Sequence, residues 1–156
     1  MADLDNKVAL VTGAGVGIGR AIACVLAREG ARVAVADLNA QTAQDTVDLI
    51  SAAGGEAIAL TADVSDEEQV QAMVANVVAA FGRLDIACNS AAVSRGSGAI
   101  HTFEKAVFDE TLELCLTNTF LCMKHEIEQM LAQGGGAIVN ISSNASLRGQ
   151  PYNTAY

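Results

Sequence analysis

Positive charge is scarce: Lys and Arg number 9 against 18 Asp and Glu, so the chain carries a net charge of -9 at pH 7. Such a chain repels phosphate backbones and anionic lipid surfaces, which excludes nucleic acid and membrane surfaces as expected partners. Long apolar runs are missing too, and none approaches the roughly 18 residues that span a bilayer. The opening Met1-Ala2-Asp3-Leu4-Asp5-Asn6 has neither the basic nor the apolar region of a secretory signal, so a cytoplasmic location is expected. The four cysteines, Cys24, Cys88, Cys115 and Cys122, make no CxxC pair and no metal-ligand spacing. They read as small buried thiols, with no metal site expected. Proline occurs once, at Pro151, and no linker, repeat or low-complexity stretch divides the chain. One domain, or part of one, is expected.

What remains is a core-forming composition, 51% apolar and 17% charged over 156 residues. Short β-branched or alanine-rich runs at Lys7–Val11, Arg32–Ala36, Ala57–Thr61, Leu84–Cys88 and Ala137–Ile141 read as strands. Segments of helical period begin near Gly17, Asn39, Asp66 and Phe103. Gly30, Gly54-Gly55, Gly82 and Gly134-Gly135-Gly136 fall where those helices should end. A βαβ series of this kind is right-handed, which predicts an α/β fold: a doubly wound parallel sheet in three layers, with helices on both faces.

Between the first strand and the first helix lies Thr12-Gly13-Ala14-Gly15-Val16-Gly17-Ile18-Gly19-Arg20. Glycines there let the backbone approach a pyrophosphate, whose charge is met by the N–H groups and dipole of the new helix. The strict G-x-G-x-x-G pattern fails at Ile18, and G-x-x-x-G-x-G fits at Gly13, Gly17 and Gly19. No Walker lysine follows, so a P-loop is excluded. A simple turn is the alternative. Asp37 ends the second strand, where a carboxylate can accept from both hydroxyls of an adenosine ribose and would repel a 2′-phosphate. Its alternative is a turn aspartate before the helix near Asn39. Arg20 points the other way, towards a 2′-phosphate, but Asp37 is the better placed, so NAD is expected over NADP.

The chain resembles the short-chain dehydrogenase/reductase family over its whole length. The T-G-x-x-x-G-x-G turn is joined by Ala62-Asp63-Val64 after the third strand and by Asn89-Ser90-Ala91-Ala92 after the fourth, which departs from the family's N-N-A-G at Ser90 and Ala92. Asn118 matches a helix asparagine that supports a water-borne proton relay in the family, and Ser143 lies at the family's spacing before Tyr156. The resemblance implies a Rossmann-type domain that holds NAD(P) through Gly13, Gly15, Gly17, Ile18, Gly19, Asp37, Leu38, Asp63, Val64, Asn89 and Ala91. It implies chemistry at Asn118, Ser143 and Tyr156: hydride transfer between the nicotinamide and an alcohol or ketone, as in 3-oxoacyl-carrier-protein reductases, with the tyrosine handling the substrate proton.

The family places a lysine four residues after that tyrosine, at position 160, beyond Tyr156. Residues 1–156 are therefore expected to be the N-terminal part of a longer domain. The C-terminal part of the fold would be absent, a sheet edge open, and the chain alone inactive. A nucleotide-binding module or regulatory fragment without chemistry is the alternative reading. His101 lies in a polar Ser-Gly loop that could border a substrate but has no evident partner, and His125 reads as solvated or at an interface. Glu104, Asp109, Glu110 and Glu113 read as a charged helical surface. Leu112, Cys115, Leu116, Phe120 and Met123 recur at helical spacing and read as packing. The family builds dimers and tetramers on this helix, which implies a homo-oligomer.

Overall fold

The computed structural model describes residues 4–156. Five parallel strands form one sheet in the order β3-β2-β1-β4-β5: β1 Val8–Thr12, β2 Arg32–Asp37, β3 Ala57–Thr61, β4 Ile86–Asn89 and β5 Ala137–Asn140. Each expected strand is present within two residues of its sequence-read bounds. Every residue of β1 is buried, as a central parallel strand with both faces covered requires. Its register sets Val8 beside Arg32 of β2 and Ala9 beside Ile86 of β4.

Alternation along β1 feeds two cores. Val8 and Leu10 pack with Val70, Met73, Val77 and Phe81 of α3 (Glu67–Phe81) and with Leu121, Cys122 and Met130 of α5 (Asn118–Gln133). Ala9 and Val11 pack with Ala23 and Ala27 of α1 (Gly17–Arg28) and with Ala43, Val47 and Ile50 of α2 (Ala40–Ala52). The three-layer, Rossmann-like arrangement is thus present. Asn39 caps α2 and Asp66 caps α3, each side chain accepting from two backbone N–H groups. The ends of α3 and α5 turn on Gly82 and Gly134, with φ of 83° and 95°, a conformation that costs glycine nothing.

Three expectations are corrected. The helix read from Phe103 onward is broken: a 3₁₀ turn at Ile100–Thr102, then α4 (Lys105–Leu112), a π turn at Glu113–Thr117, and α5. His125 is buried against α3, with Nε2 3.4 Å from Glu67 Oε1, rather than solvated. Leu116 and Phe120 are not packing residues but stand 64% and 62% exposed. Of the thiols, Cys88 and Cys122 are buried while Cys24 and Cys115 are only partly so. Among the described residues no group of three or more His, Cys, Asp or Glu could hold a metal. No helix among them is long and apolar enough to cross a membrane.

Candidate active site

The strand order reverses between β1 and β4, since β1 leads by α1 to β2 on one side and the chain later returns to β4 on the other. Open α/β sheets bind ligands outside the carboxyl ends of the strands at such a switch point. There a cavity of about 560 Å³ opens, lined by the glycine turn, the ends of β2 and β3, the loops after β4 and β5, and the start of α5.

The glycine turn is held rigidly from behind. Asp37 Oδ2 accepts from Gly15 N at 2.8 Å, and Asp37 Oδ1 accepts from Asn39 N at 3.0 Å. Arg20 is engaged by Gly15 O and by Thr46 Oγ1, so it staples α1 to α2 instead of facing a ligand. A Cβ on Gly15 would lie 2.6 Å from Asp37 Oδ2, which explains why the turn needs glycine at its back. Unlike α2 and α3, α1 begins at Val16 with no side-chain cap. Its first residues, Gly17, Ile18 and Gly19, line the cavity with no side chain capping their N–H groups, the arrangement that receives an anion.

Most of the predicted residues meet in this cavity. Gly13, Gly17, Ile18, Gly19, Asp37, Leu38, Asp63, Val64 and Ala91 line it, and so do Asn118, Ser143 and Tyr156. Gly15 stands behind Asp37, as above. Asn89 does not reach the cavity: it is buried beneath the β4 loop, where its Nδ2 donates to Glu126 Oε2 and to Asn140 Oδ1, both at 3.0 Å. That loop is fixed above by Thr12 Oγ1, which accepts from Ser90 N and Ala91 N at 3.1 and 3.3 Å. Asn118 Nδ2 donates to Ala91 O and to Leu114 O, each at 2.8 Å, so the same side chain ties the loop to the π turn. At Asp63 the backbone N–H goes to Gln69 Oε1 and Oδ1 accepts from Ser65, leaving Oδ2 for a ligand.

Ser143 Oγ accepts from Ala145 N at 3.2 Å and so starts the short 3₁₀ turn Asn144–Ser146. The Ser-Gly segment after β4 is latched to the last residues by Gly98 N and Ser97 Oγ, both donating to Tyr152 O at 2.9 Å. His101 is exposed in its 3₁₀ turn.

One buried group escaped the sequence reading. Glu126 has no exposed surface, and burial pushes its carboxyl up to about 7 against the lowering effect of the Asn89 hydrogen bond. It sits among the polar side chains Lys124, His125 and Glu128, which mask it in the sequence. The signal was there in Asn118, Cys122, Glu126 and Met130, four residues apart on one stripe and all buried.

The short chain dehydrogenase family profile matches residues 7–156. A 2,5-dichloro-2,5-cyclohexadiene-1,4-diol dehydrogenase of Sphingobium indicum is 41% identical over all of this chain and 62% of the relative. A D-threitol dehydrogenase of Mycolicibacterium smegmatis is 43% identical over 98% of this chain and 58% of the relative. Among solved structures, an NAD+-bound xylitol dehydrogenase superposes with a TM-score of 0.96 at 34% identity, over 99% of this chain and 59% of that one. The chain spans between 52% and 62% of the length of the curated relatives it matches. On the sheet order, the site and these matches together, the chain belongs to the short-chain dehydrogenase family.

Proposed function

We propose that residues 1–156 form the NAD-binding part of an oxidoreductase that moves hydride between a nicotinamide and a small alcohol or ketone. The observation that carries this reading is the composition of the cavity. At one end stand the uncapped start of α1 and two carboxylates, Asp37 and Asp63, with no lysine or arginine on the described lining; at the other stand Asn118, Ser143 and Tyr156.

The α1 N-terminus receives the pyrophosphate, and Asp37 accepts from the ribose hydroxyls. A 2′-phosphate would meet a carboxylate without a counter-cation, because Arg20 is already spent on Gly15 and Thr46. NAD is therefore favoured over NADP. When bound, the nicotinamide supplies or takes the hydride. Ser143 hydrogen-bonds the substrate oxygen, Tyr156 holds its proton, and Asn118 keeps the loop of Ala91 in place beside them. The gathering of these three side chains in one cavity favours an enzyme over a binding module without chemistry.

The lysine that the family pairs with its tyrosine would fall at position 160, beyond Tyr156. Residues 1–156 alone are proposed to bind cofactor without turnover. A cytoplasmic location and homo-oligomerisation belong to the same reading. The surface for assembly is the stripe Leu116, Phe120, Ile127 and Leu131, all exposed.

Titration of nicotinamide fluorescence with NADH and NADPH tests the site. NADH should bind more tightly than NADPH, and Asp37→Asn, which keeps an acceptor for Gly15 N but removes the charge, should narrow that preference about tenfold or more. Equal affinity for both cofactors in the parent, or an unchanged ratio in the variant, would remove Asp37 from the reading.

A further inference from the structure

Two buried oxygens of one contact have no hydrogen-bond partner among the described residues: Asn89 Oδ1 and Glu126 Oε1. Both belong to the pair already joined by Asn89 Nδ2 and Glu126 Oε2. A carboxylate and an amide oxygen are both acceptors, so no rotation of the two groups satisfies them together. One proton does. A neutral carboxyl and a primary amide form a two-bond ring in which each donates once and accepts once, here Nδ2–H to Oε2 and Oε1–H to Oδ1. An ionised Glu126 would instead be buried with a single donor and an opposed lone pair, the costliest state for such a group.

We propose that Glu126 is a positioning residue that works as a neutral acid: ring-paired with Asn89, and through it with Asn140, it fixes the carboxyl ends of β4 and β5 and thereby the loops that bring Ala91 and Ser143 to the cavity. The arrangement places it well for this. Asn89 and Asn140 are register partners at the ends of adjacent strands, Ala91 follows Asn89 by two residues, and Ser143 follows Asn140 by three. Asn140 Nδ2 continues the chain to Met123 Sδ of α5 at 3.1 Å.

The thiols that face Glu126 leave the switching to it. Cys88 on β4 and Cys122 on α5 face it, and burial, reinforced by the Glu126 charge, pushes both thiols up, Cys122 to about 12. They stay neutral through the range in which Glu126 titrates. Towards α3, Lys124 pairs with Glu67, His125 lies between Glu67 and Glu128 with Nε2 3.4 Å from one and Nδ1 3.7 Å from the other, and Asn140 on β5 is neutral. Above about 7 the Glu126 proton leaves to solvent, Oε1 opposes Asn89 Oδ1, and the two loops loosen.

The cofactor consequence rests on the nucleotide reading of the cavity. NMR of the chain reads the ring pair without any cofactor: the Glu126 carboxyl carbon, the Asn89 side-chain amide and the backbone amides of Ala91 and Ser143 should titrate together with a midpoint near 7. In Glu126→Gln, whose amide also donates once and accepts once to Asn89, the Ala91 and Ser143 signals should hold still across that range. NADH affinity of the parent should fall roughly tenfold from about pH 6 to about pH 8, in proportion to the fraction that keeps the proton. The Glu126→Gln affinity should stay flat, and Glu126→Ala should bind weakly at both.

A carboxyl carbon that titrates near the ordinary glutamate range, or Ala91 and Ser143 amides that ignore it, would overturn the proposal in the parent alone, whether or not a variant folds. A Glu126→Gln variant with the parent's pH slope would overturn it as well. Coupled titration of the four signals with no NADH binding at any pH would support the positioning role and count against the nucleotide reading.

Discussion

Gly19 and Gly17 sit two residues apart in the turn that faces the cavity, and the structure gives them different reasons to be glycine. A Cβ on Gly19 would fall 2.8 Å from the carbonyl carbon of Gly13 and 3.0 Å from Ala14 Cα. Both are backbone atoms that cannot swing aside, so the first turn of α1 would have to lift off the loop. Gly17 has a φ of 58°, and a Cβ there meets nothing within 4 Å; it would stand in the open space of the cavity. Gly19→Ala should therefore cost about 1–3 kcal/mol of stability, as overpacking does, and abolish NADH binding with it. Gly17→Ala should cost only the left-handed strain of about 1 kcal/mol while weakening NADH far more than stability. Urea unfolding beside cofactor titration checks both; equal stability losses would show that the loop relaxes at Gly19. The sequence revealed this turn because glycine has few other uses at that spacing. It concealed Glu126, because burial of a carboxylate depends on what faces it, and Asn89 lies 37 residues away.

Between residue and molecule the informative element is the π turn at Glu113–Thr117. A π turn spreads one extra residue over a turn, so residues before it are carried about 100° out of register with those after it. No residue type marks such a turn. That is why the strands, read from runs of β-branched residues and from punctuating glycines, were legible to within two residues, while the last helical stretch was not. Leu112 to Met123 looked like one packing stripe on an unbroken helix. Instead Thr111 is buried and latches Arg95, accepting from its N at 3.3 Å and donating to its O at 3.1 Å, while Leu116 and Phe120 turn outward. With Ile127 and Leu131 they leave an apolar face on an otherwise acidic chain. If this face is where copies of the protein meet, Phe120→Glu and Leu131→Glu should shift sedimentation to a smaller species. At 62% and 76% exposure they should change urea stability by no more than about 0.5 kcal/mol. An unchanged sedimentation profile would place assembly elsewhere.

For the molecule as a whole, two buried carboxyls shape the dependence of stability on pH in opposite senses. Asp85 joins the starts of β1 and β4, accepting from Val8 N at 3.0 Å and from Arg83. Burial works to raise it, but the Arg83 and Val8 hydrogen bonds prevail and hold it below its ordinary 3.8. Its contribution is present in full above that value and is lost as pH falls through its folded-state value. Glu126 is the reverse case. It titrates at about 7 when folded and at 4.5 ordinarily, so its contribution is whole below 4.5 and is lost as pH rises through 7, a difference of about 3 kcal/mol. Self-repulsion acts in the same direction, because the chain is near neutrality at its isoelectric point of about 4.5 and reaches -9 at pH 7. Stability should therefore peak at about pH 4–5, on the acid side of the usual range of roughly 5 to 8. Urea midpoints measured from about pH 4 to about pH 8 check this, and Glu126→Gln separates the two causes. If the ring pair dominates, the variant loses most of the decline between about 4.5 and 7; if net charge dominates, it declines as the parent does. A parent whose stability rises from about pH 5 to pH 7 would mean that Glu126 is ionised in the folded protein, and that a donor other than Asn89 holds its charge.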